Sequence, residues 1–171
     1  MNYRILVQSD DFNMSSEVDR IRGLDPAIGG IVAFCGVCRS EGGRLSALEI
    51  EHYPGMAEKR IRNIIDDAAS RWTLNGVTVI HRYGKIKVGD QIVLVITASP
   101  HRREAFDAAN FIMDFLKTEA PFWKKEHLSD GTPMDWVEAK KVDINDKNNW
   151  QKKFLTKNKR VGTQAQKISR H

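Results

Sequence analysis

A long apolar helix restricts the folds that this chain can adopt. The sequence predicts the helix from about Pro100 to Glu119, directly after the most strand-like run, Gln91 to Ala98. Its apolar side chains form a wide stripe, made of Phe106, Ala109, Phe111, Ile112, Met113, Phe115 and Leu116. A helix that is apolar over so much of its surface is usually covered on two sides. We expect a β-sheet to cover one side and a second subunit to cover the other.

The remaining predicted elements mix strands and helices without a regular repeat. Strands are expected at residues 3–7, 31–39, 45–52, 77–81 and 85–88, helices at 15–22 and 54–72, and short extended pieces at 122–125 and 136–140. A parallel sheet would require regular βαβ alternation, which this order of elements lacks. The pattern predicts an α+β fold with a largely antiparallel sheet.

Positive charge is concentrated near the C-terminus. Of the 27 Lys and Arg residues, eight lie in residues 145–171, where Asp146 is the one acidic residue. Residues 1–144 therefore carry 19 basic and 21 acidic side chains. Residues 145–171 also lack hydrophobic periodicity, which is typical of disorder. We predict a folded domain over residues 1–144 and a basic, disordered tail over residues 145–171, whose charge suggests contact with an acidic partner.

Charge and hydropathy also limit the classes of partner. A nucleic-acid-binding fold would carry its basic side chains on a folded face, so we expect no nucleic acid. No apolar run approaches the roughly 18–20 residues of a membrane-spanning helix, and the first residues lack the pattern of a signal peptide. We expect no membrane partner and a cytoplasmic location.

Two cysteines, Cys35 and Cys38, have the C-x-x-C spacing of some redox pairs. Thioredoxin-like pairs begin a helix, whereas this pair ends a strand-like run. A metal site would need two further ligands at similar spacing, and the sequence offers none. The pattern favours two buried or loop-edge thiols, and a redox role stays the alternative.

Basic side chains gather at the predicted start of the apolar helix. Ser99 and Pro100 are favourable residues for a helix start, and His101, Arg102 and Arg103 follow them. Cations there oppose the helix dipole, whose positive end lies at the N-terminus. An anion would favour this arrangement, because backbone N–H groups and cationic side chains would converge on it.

Further basic residues follow the helix. Lys117 lies in its last turn, where a cation also favours the dipole, and the stem of Lys124 can pack along neighbouring aromatic rings. Arg39 ends a strand beside a Gly-rich loop, where binding residues often lie. Taken together, these residues predict an anionic substrate, with lysines available as base or nucleophile. His81 and Arg82 are interpreted as structural residues at a strand end.

Four segments are similar to the large, catalytic subunit family of molybdopterin synthase: Glu51 to Met56, Val79 to Gly84, Ser99 to Arg102 and Phe111 to Glu126. The similarity covers residues 3–141. It implies an α/β hammerhead fold and a homodimer that binds two small ubiquitin-like sulfur carriers, giving a heterotetramer. It implies a sulfurtransferase that moves two sulfurs from the carrier's C-terminal Gly-Gly thiocarboxylate to cyclic pyranopterin monophosphate. The product is the dithiolene of molybdopterin, and no metal or organic cofactor is expected.

The same resemblance implies a set of site residues. Lys117 and Lys124 would be catalytic. The substrate-binding residues would be Val37, Cys38, Arg39, His101, Arg102, Lys125 and Glu126, and the apolar pocket walls Phe34 and Met113. Val37 and Cys38 would act through their backbone, and His101 and Arg102 are expected from the partner subunit. Lys140 lies where an arginine is common in the family. A lysine keeps the positive charge but cannot form the two parallel hydrogen bonds of a guanidinium group. Besides the redox alternative, a binding module that has lost turnover stays open.

Overall fold

The computed structural model describes residues 1–137, 145 and 148–150. The elements in this part of the chain are β1 (Asn2–Gln8), α1 (Met14–Arg22), β2 (Gly30–Val37), β3 (Leu45–His52), α2 (Met56–Ala69), β4 (Gly76–Arg82), β5 (Gly84–Lys87), β6 (Gln91–Ser99), α3 (Arg102–Glu119), β7 (Phe122–Leu128) and β8 (Pro133–Val137). None of the helices in these residues is long and apolar enough to cross a membrane.

The strands form two four-stranded sheets. The first has the order β1-β4-β6-β2 and the second the order β5-β3-β7-β8. β1 pairs with β4 in parallel, whereas the pairs β2–β6, β4–β6, β3–β5, β3–β7 and β7–β8 are antiparallel. The predicted α+β fold with mainly antiparallel pairing is confirmed, with the strands divided between two sheets.

The first sheet is buried on both faces, because helices lie on each side. Alternate residues of β4 and β6 point in opposite directions. One face packs against α2 and α3 in a core that includes Ile61, Ile65, Val77, Val79, Val93, Val95, Phe111 and Ile112. The other face packs against α1 through Ile21, Ile80, Leu94, Ile96 and Ala98. Such two-sided burial accounts for the nearly continuous apolar run of β6.

Most of the apolar stripe of α3 is covered from within the chain, but Phe106 at its start is 57% exposed. One side contacts β6 and β2, and another contacts α2. A second side of α3 is covered by α2, because that helix carries its own buried stripe, made of Ala57, Ile61, Ile64, Ile65 and Ala68. A second subunit over the part of the stripe that is still exposed stays a prediction.

The start of α3 also differs from the prediction. β6 continues to Ser99, because that residue pairs with Gly30 of β2, and the helix begins at Arg102 with His101 as the N-cap. The backbone N–H of His101 donates to the Ser99 hydroxyl at 3.2 Å. Ser99 thus ends the strand and supports the turn, and the basic residues still occupy the start of the helix.

Trp150 belongs to the folded body. Its indole ring meets Trp72 and Phe111 edge-on, with ring centroids 5.7 Å apart in each case. Its Nε1–H donates to the Asp114 carboxylate of α3 at 2.7 Å. Trp150 thus packs against the core beside α3 although it follows the boundary predicted after residue 144, and the position of that boundary stays a prediction. Lys140 and residues 151–171 of the predicted tail lie outside the described residues.

Candidate functional site

A cavity of about 170 Å³ lies where the two sheets meet the last turn of α3. Its lining consists of Phe34, Gly36, Val37, His81, Ile92, Val93, Met113, Leu116, Lys117, Ala120, Phe122 and Lys124. Most of these side chains are apolar, and the two lysines supply positive charge. The cavity therefore offers an anion two ammonium groups within mainly apolar walls.

The turn between α3 and β7 brings the two lysines to this cavity. Pro121 disfavours helical backbone at the preceding residue, and Ala120 accordingly leaves the helix with φ −73° and ψ 132°. The N–H of Phe122 donates to the Ala120 carbonyl at 2.8 Å, which closes the turn. Lys117 on the helix and Lys124 on the strand consequently face one space.

Met113 and Phe34 are among the apolar residues that line this cavity. Met113 lies one helical turn before Lys117 on the same face of α3. Phe34 and Val37 project from β2, and both are exposed in the single chain. The structure thus brings five of the predicted site residues to one cavity: Phe34, Val37, Met113, Lys117 and Lys124.

His81 also lines the cavity, although its place at a strand end predicted a structural role. Its side chain is 6% exposed, and burial lowers the pKa of the imidazole to about 3, with smaller contributions from the charges of Lys124 and His52. The imidazole ring stacks on Phe122, with centroids 3.7 Å apart and planes 10° apart. One signal was available in the sequence: alternation along β4 places His81 on the same face as the buried Val77 and Val79.

Arg39 and Cys38 lie outside the cavity lining. The Arg39 guanidinium is exposed and donates from Nε to the Glu41 carboxylate at 2.7 Å. Cys38 is 1% exposed, and its backbone is engaged with the following turn, donating to Asp90 and accepting from Gly89. These two hydrogen bonds support the end of β2, and the expected backbone contact of Cys38 with substrate stays a prediction.

His101 and Arg102 lie with Arg103 around a separate open depression of about 410 Å³. Arg102 begins α3 and Lys117 lies 15 residues later, so the helix separates them by about 22 Å. The loop before β2 packs tightly against this helix start: a Cβ added at Gly29 would lie 2.2 Å from the Pro100 carbonyl oxygen. Within one chain, the basic residues at the two ends of α3 do not share a cavity.

Lys125 and Glu126 continue β7 beyond the cavity lining. They lie opposite Glu49 and Leu48 of β3 in the strand register. Both are half-buried. Their predicted contact with substrate stays a prediction.

The geometry of the cysteines does not favour redox chemistry. Cys35 Sγ contacts the Gln91 side-chain oxygen at 3.2 Å, and both thiols are free. Burial raises the pKa of Cys35, with Asp11 adding to the effect, and burial also raises the pKa of Cys38. A raised pKa reduces the thiolate needed for thiol–disulfide exchange. Within the described residues, no three His, Cys, Asp or Glu side chains gather as a metal site.

The chain is similar to proteins of known family. The model of the MoaE protein family matches residues 7–119. A "Molybdopterin synthase catalytic subunit" from Brucella melitensis is 54% identical over 147 residues, covering 86% of this chain and 90% of the relative. One of the same name from Rhizobium meliloti is 55% identical over 146 residues, covering 85% and 94%. The solved "Molybdopterin biosynthesis MoaE protein" from Burkholderia ambifaria superimposes with a TM-score of 0.75 at 42% identity, covering 88% of this chain and 99% of that one.

Proposed function

The chain belongs to the MoaE protein family, and we propose that the cavity between Lys117 and Lys124 is where it transfers sulfur. The predicted role as the catalytic subunit of a molybdopterin synthase, a sulfur-transferring enzyme of molybdenum cofactor biosynthesis, is confirmed by the family match and the relatives. The donor, the acceptor, the assembly and the residue roles are our proposal. The observation that carries it is the pair of lysines from two elements in one apolar cavity.

The proposed sulfur donor is the C-terminal thiocarboxylate of a small carrier subunit. A cavity of about 170 Å³ is smaller than the roughly 300–1,000 Å³ of pockets that enclose a whole small molecule. It suits an extended chain end such as Gly-Gly, which has no side chains to accommodate. The Lys117 and Lys124 ammonium groups would bind the thiocarboxylate anion, and Phe34 and Met113 would exclude water from it.

Sulfur transfer then proceeds in steps whose charges the lysines can stabilise. The thiocarboxylate sulfur forms a bond to a side-chain carbon of cyclic pyranopterin monophosphate while that carbon's bond to oxygen breaks, and the oxygen leaves on the opened phosphate ring in one transfer and as water in the other. Water then adds to the carrier's thioester carbonyl and cleaves its C–S bond, leaving a carboxylate on the carrier and a thiolate on the pterin. Negative charge develops on the carbonyl oxygen during that cleavage. An ammonium group already aimed at the oxygen lowers the barrier, because it needs no reorganisation in the transition state.

The proposed acceptor site requires a second copy of the chain. His101 and Arg102 suit the phosphate of the pterin substrate, but they lie at the other end of α3, about 22 Å from Lys117. We propose a homodimer in which the partner brings its helix start next to this cavity, with one carrier bound to each protomer. Arg39, Lys125 and Glu126 would lie at the rim of the completed site. The cytoplasmic location stays a prediction.

A reconstituted reaction tests the proposal. The purified chain is incubated with thiocarboxylated carrier and cyclic pyranopterin monophosphate, and mass spectrometry follows the gain of two sulfurs by the pterin. Product formation that depends on the thiocarboxylate supports the proposal. Binding of both components without product would favour a binding module, and absence of binding would contradict the assignment of the cavity.

A further inference from the structure

His81 connects the two halves of the cavity. Lys117 lies on α3, which packs on the first sheet, whereas Lys124 lies on β7 of the second sheet. His81 belongs to β4 of the first sheet, and its ring stacks on Phe122 of β7, two residues before Lys124. Residues two apart on a strand project from the same face. The stack therefore fixes the part of β7 from which Lys124 enters the cavity.

Further ring contacts support this junction. His52 of β3 lies opposite Phe122 in the strand register, with ring centroids 6.2 Å apart. His52 also contacts Tyr83, with centroids 4.5 Å apart. These contacts lie behind the His81–Phe122 stack, because neither His52 nor Tyr83 is among the residues that line the cavity. His52 thus provides a matched position for comparison with His81.

The hydrogen bonding of His81 defines its tautomer. Nδ1 lies 2.9 Å from the Arg82 carbonyl oxygen. A carbonyl can only accept, so Nδ1 carries the hydrogen and Nε2 keeps its lone pair. Burial lowers the pKa of the ring to about 3, so the imidazole is neutral near pH 7. The residue therefore supplies a hydrogen-bond acceptor without adding a third cation to the cavity.

We propose that His81 is a positioning residue: its stack on Phe122 sets where Lys124 enters the cavity, and its neutral Nε2 offers the Lys124 ammonium a hydrogen-bond acceptor on the cavity wall. The expected effect on turnover rests on the proposed function, whereas the positioning of Lys124 by His81 does not. The charges facing His81 are Lys124 on β7 and the titratable His52 on β3, with Lys117 across the cavity on α3. An acceptor among them orients the Lys124 ammonium, so that it meets the thiocarboxylate together with Lys117.

Kinetics of three variants test the role. His81→Phe keeps an aromatic ring for the stack and removes the acceptor, whereas His81→Gln places an amide oxygen near the former Nε2 position. We expect His81→Phe to lower kcat by about 10- to 100-fold, as for a lost hydrogen bond to a charged group, with the KM for the carrier within about threefold. The alkaline limb of its kcat profile should move to lower pH, because the ammonium loses its acceptor. His81→Gln should recover part of the loss, because it restores the acceptor but not the ring stack, and the control His52→Phe should stay within about twofold.

Imidazole ¹⁵N NMR gives a readout that requires no turnover. Wild-type His81 should keep the Nδ1-protonated, neutral form at pH 5, and its Nε2 signal should shift in Lys124→Met. Protonation of His81 at pH 6, or an unchanged Nε2 signal in Lys124→Met, would overturn the inference even if the enzyme turns over. A wild-type kcat and an unchanged pH profile in His81→Phe would also overturn the inference. Lack of turnover by the wild type would instead count against the proposed function, while the NMR result still decides the role of His81.

Discussion

Lys117 and Lys124 face the same cavity although one ends a helix and the other lies inside a strand. The turn at Ala120 and Pro121 produces this relationship, because proline forces the preceding residue out of helical backbone. A continuous helix would instead have carried position 124 about 10 Å further along the same axis. The two lysines are seven residues apart in the sequence, and the turn places both of their charges at one cavity.

Replacing Lys117 with alanine should remove most of the activity without unfolding the protein. Loss of one group that stabilises a developing oxyanion costs about 100- to 1,000-fold in rate, and Lys117 is exposed enough for its side chain to be shortened at little cost in stability. Dithiolene formation from thiocarboxylated carrier measures the rate, and thermal unfolding monitors the fold. Lys59→Ala, at an exposed position of α2, is the control and should retain wild-type activity. Near-normal turnover by Lys117→Ala would refute the role assigned to Lys117.

Gly29→Ala should destabilise the protein. Its new Cβ would lie 2.2 Å from the Pro100 carbonyl oxygen, and a backbone atom cannot move aside as a flexible side chain can. We expect a loss of about 1–3 kcal/mol in the free energy of unfolding, typical of overpacking, measured by urea denaturation. The control is Gly23→Ala, whose Cβ would find its nearest neighbours at 3.7 Å and whose φ is −78°. Equal stability of the two variants would mean that this loop does not pack against the helix start as described.

The elements that depend on local pattern could be predicted, and those that depend on distant contacts could not. Strand β3 was expected at residues 45–52 and spans Leu45–His52, because its apolar and polar side chains alternate. The true end of β6 at Ser99 depends on pairing with Gly30, a contact between residues far apart in the sequence. Trp150 was assigned to a tail for the same reason, since a single apolar residue carries no periodic signal.

The same distinction between local pattern and distant contacts applies to the residues of the candidate site. Residues of the segment from Met113 to Lys124 could be placed together, because one helix and one turn connect them. The position of His81 beside them depends on how β7 packs against β4. The separation of His101 and Arg102 from the lysines follows from helix length alone, so the sequence already implied that one chain cannot bring both ends of α3 together.

Cys35→Ala should leave activity unchanged. A C-x-x-C redox reaction needs both sulfur atoms, so this single substitution is enough to abolish it. The raised pKa of the Cys35 thiol, caused mainly by burial, predicts that the sulfur takes no part in the reaction. We expect product formation within about twofold of wild type, both with and without added dithiothreitol. A loss of more than tenfold in a folded variant would restore the redox alternative.

Two truncations test whether the folded body includes Trp150. A chain that ends after residue 150 keeps the indole against Trp72 and Phe111 and its bond to Asp114, whereas a chain that ends after residue 144 loses them. We expect the shorter chain to lose about 2–4 kcal/mol in the free energy of unfolding, in the range for removing a large core side chain, and the longer one to match the full chain. Urea denaturation with tryptophan fluorescence measures both. Equal stability of the two truncations would place the domain boundary back at residue 144.

The burial of neutral His81 should make the folded state sensitive to acid. Its pKa is about 3 in the folded chain and 6.5 in the reference state, so the unfolded state binds a proton that the folded state does not as pH falls from 6.5 to 3. Its contribution to stability is therefore present above pH 6.5 and lost on acidification, at about 1.4 kcal/mol per pH unit. Between pH 7 and pH 5 the wild type should lose about 2 kcal/mol more than His81→Phe, which has no imidazole to protonate. Urea denaturation of both proteins at the two pH values measures this difference. The carboxylates are the same in both proteins, so their contribution to the pH dependence cancels. Parallel losses in the two proteins would show that His81 is as accessible to protons in the folded state as in the unfolded one, and would remove the basis for a neutral acceptor beside Lys124.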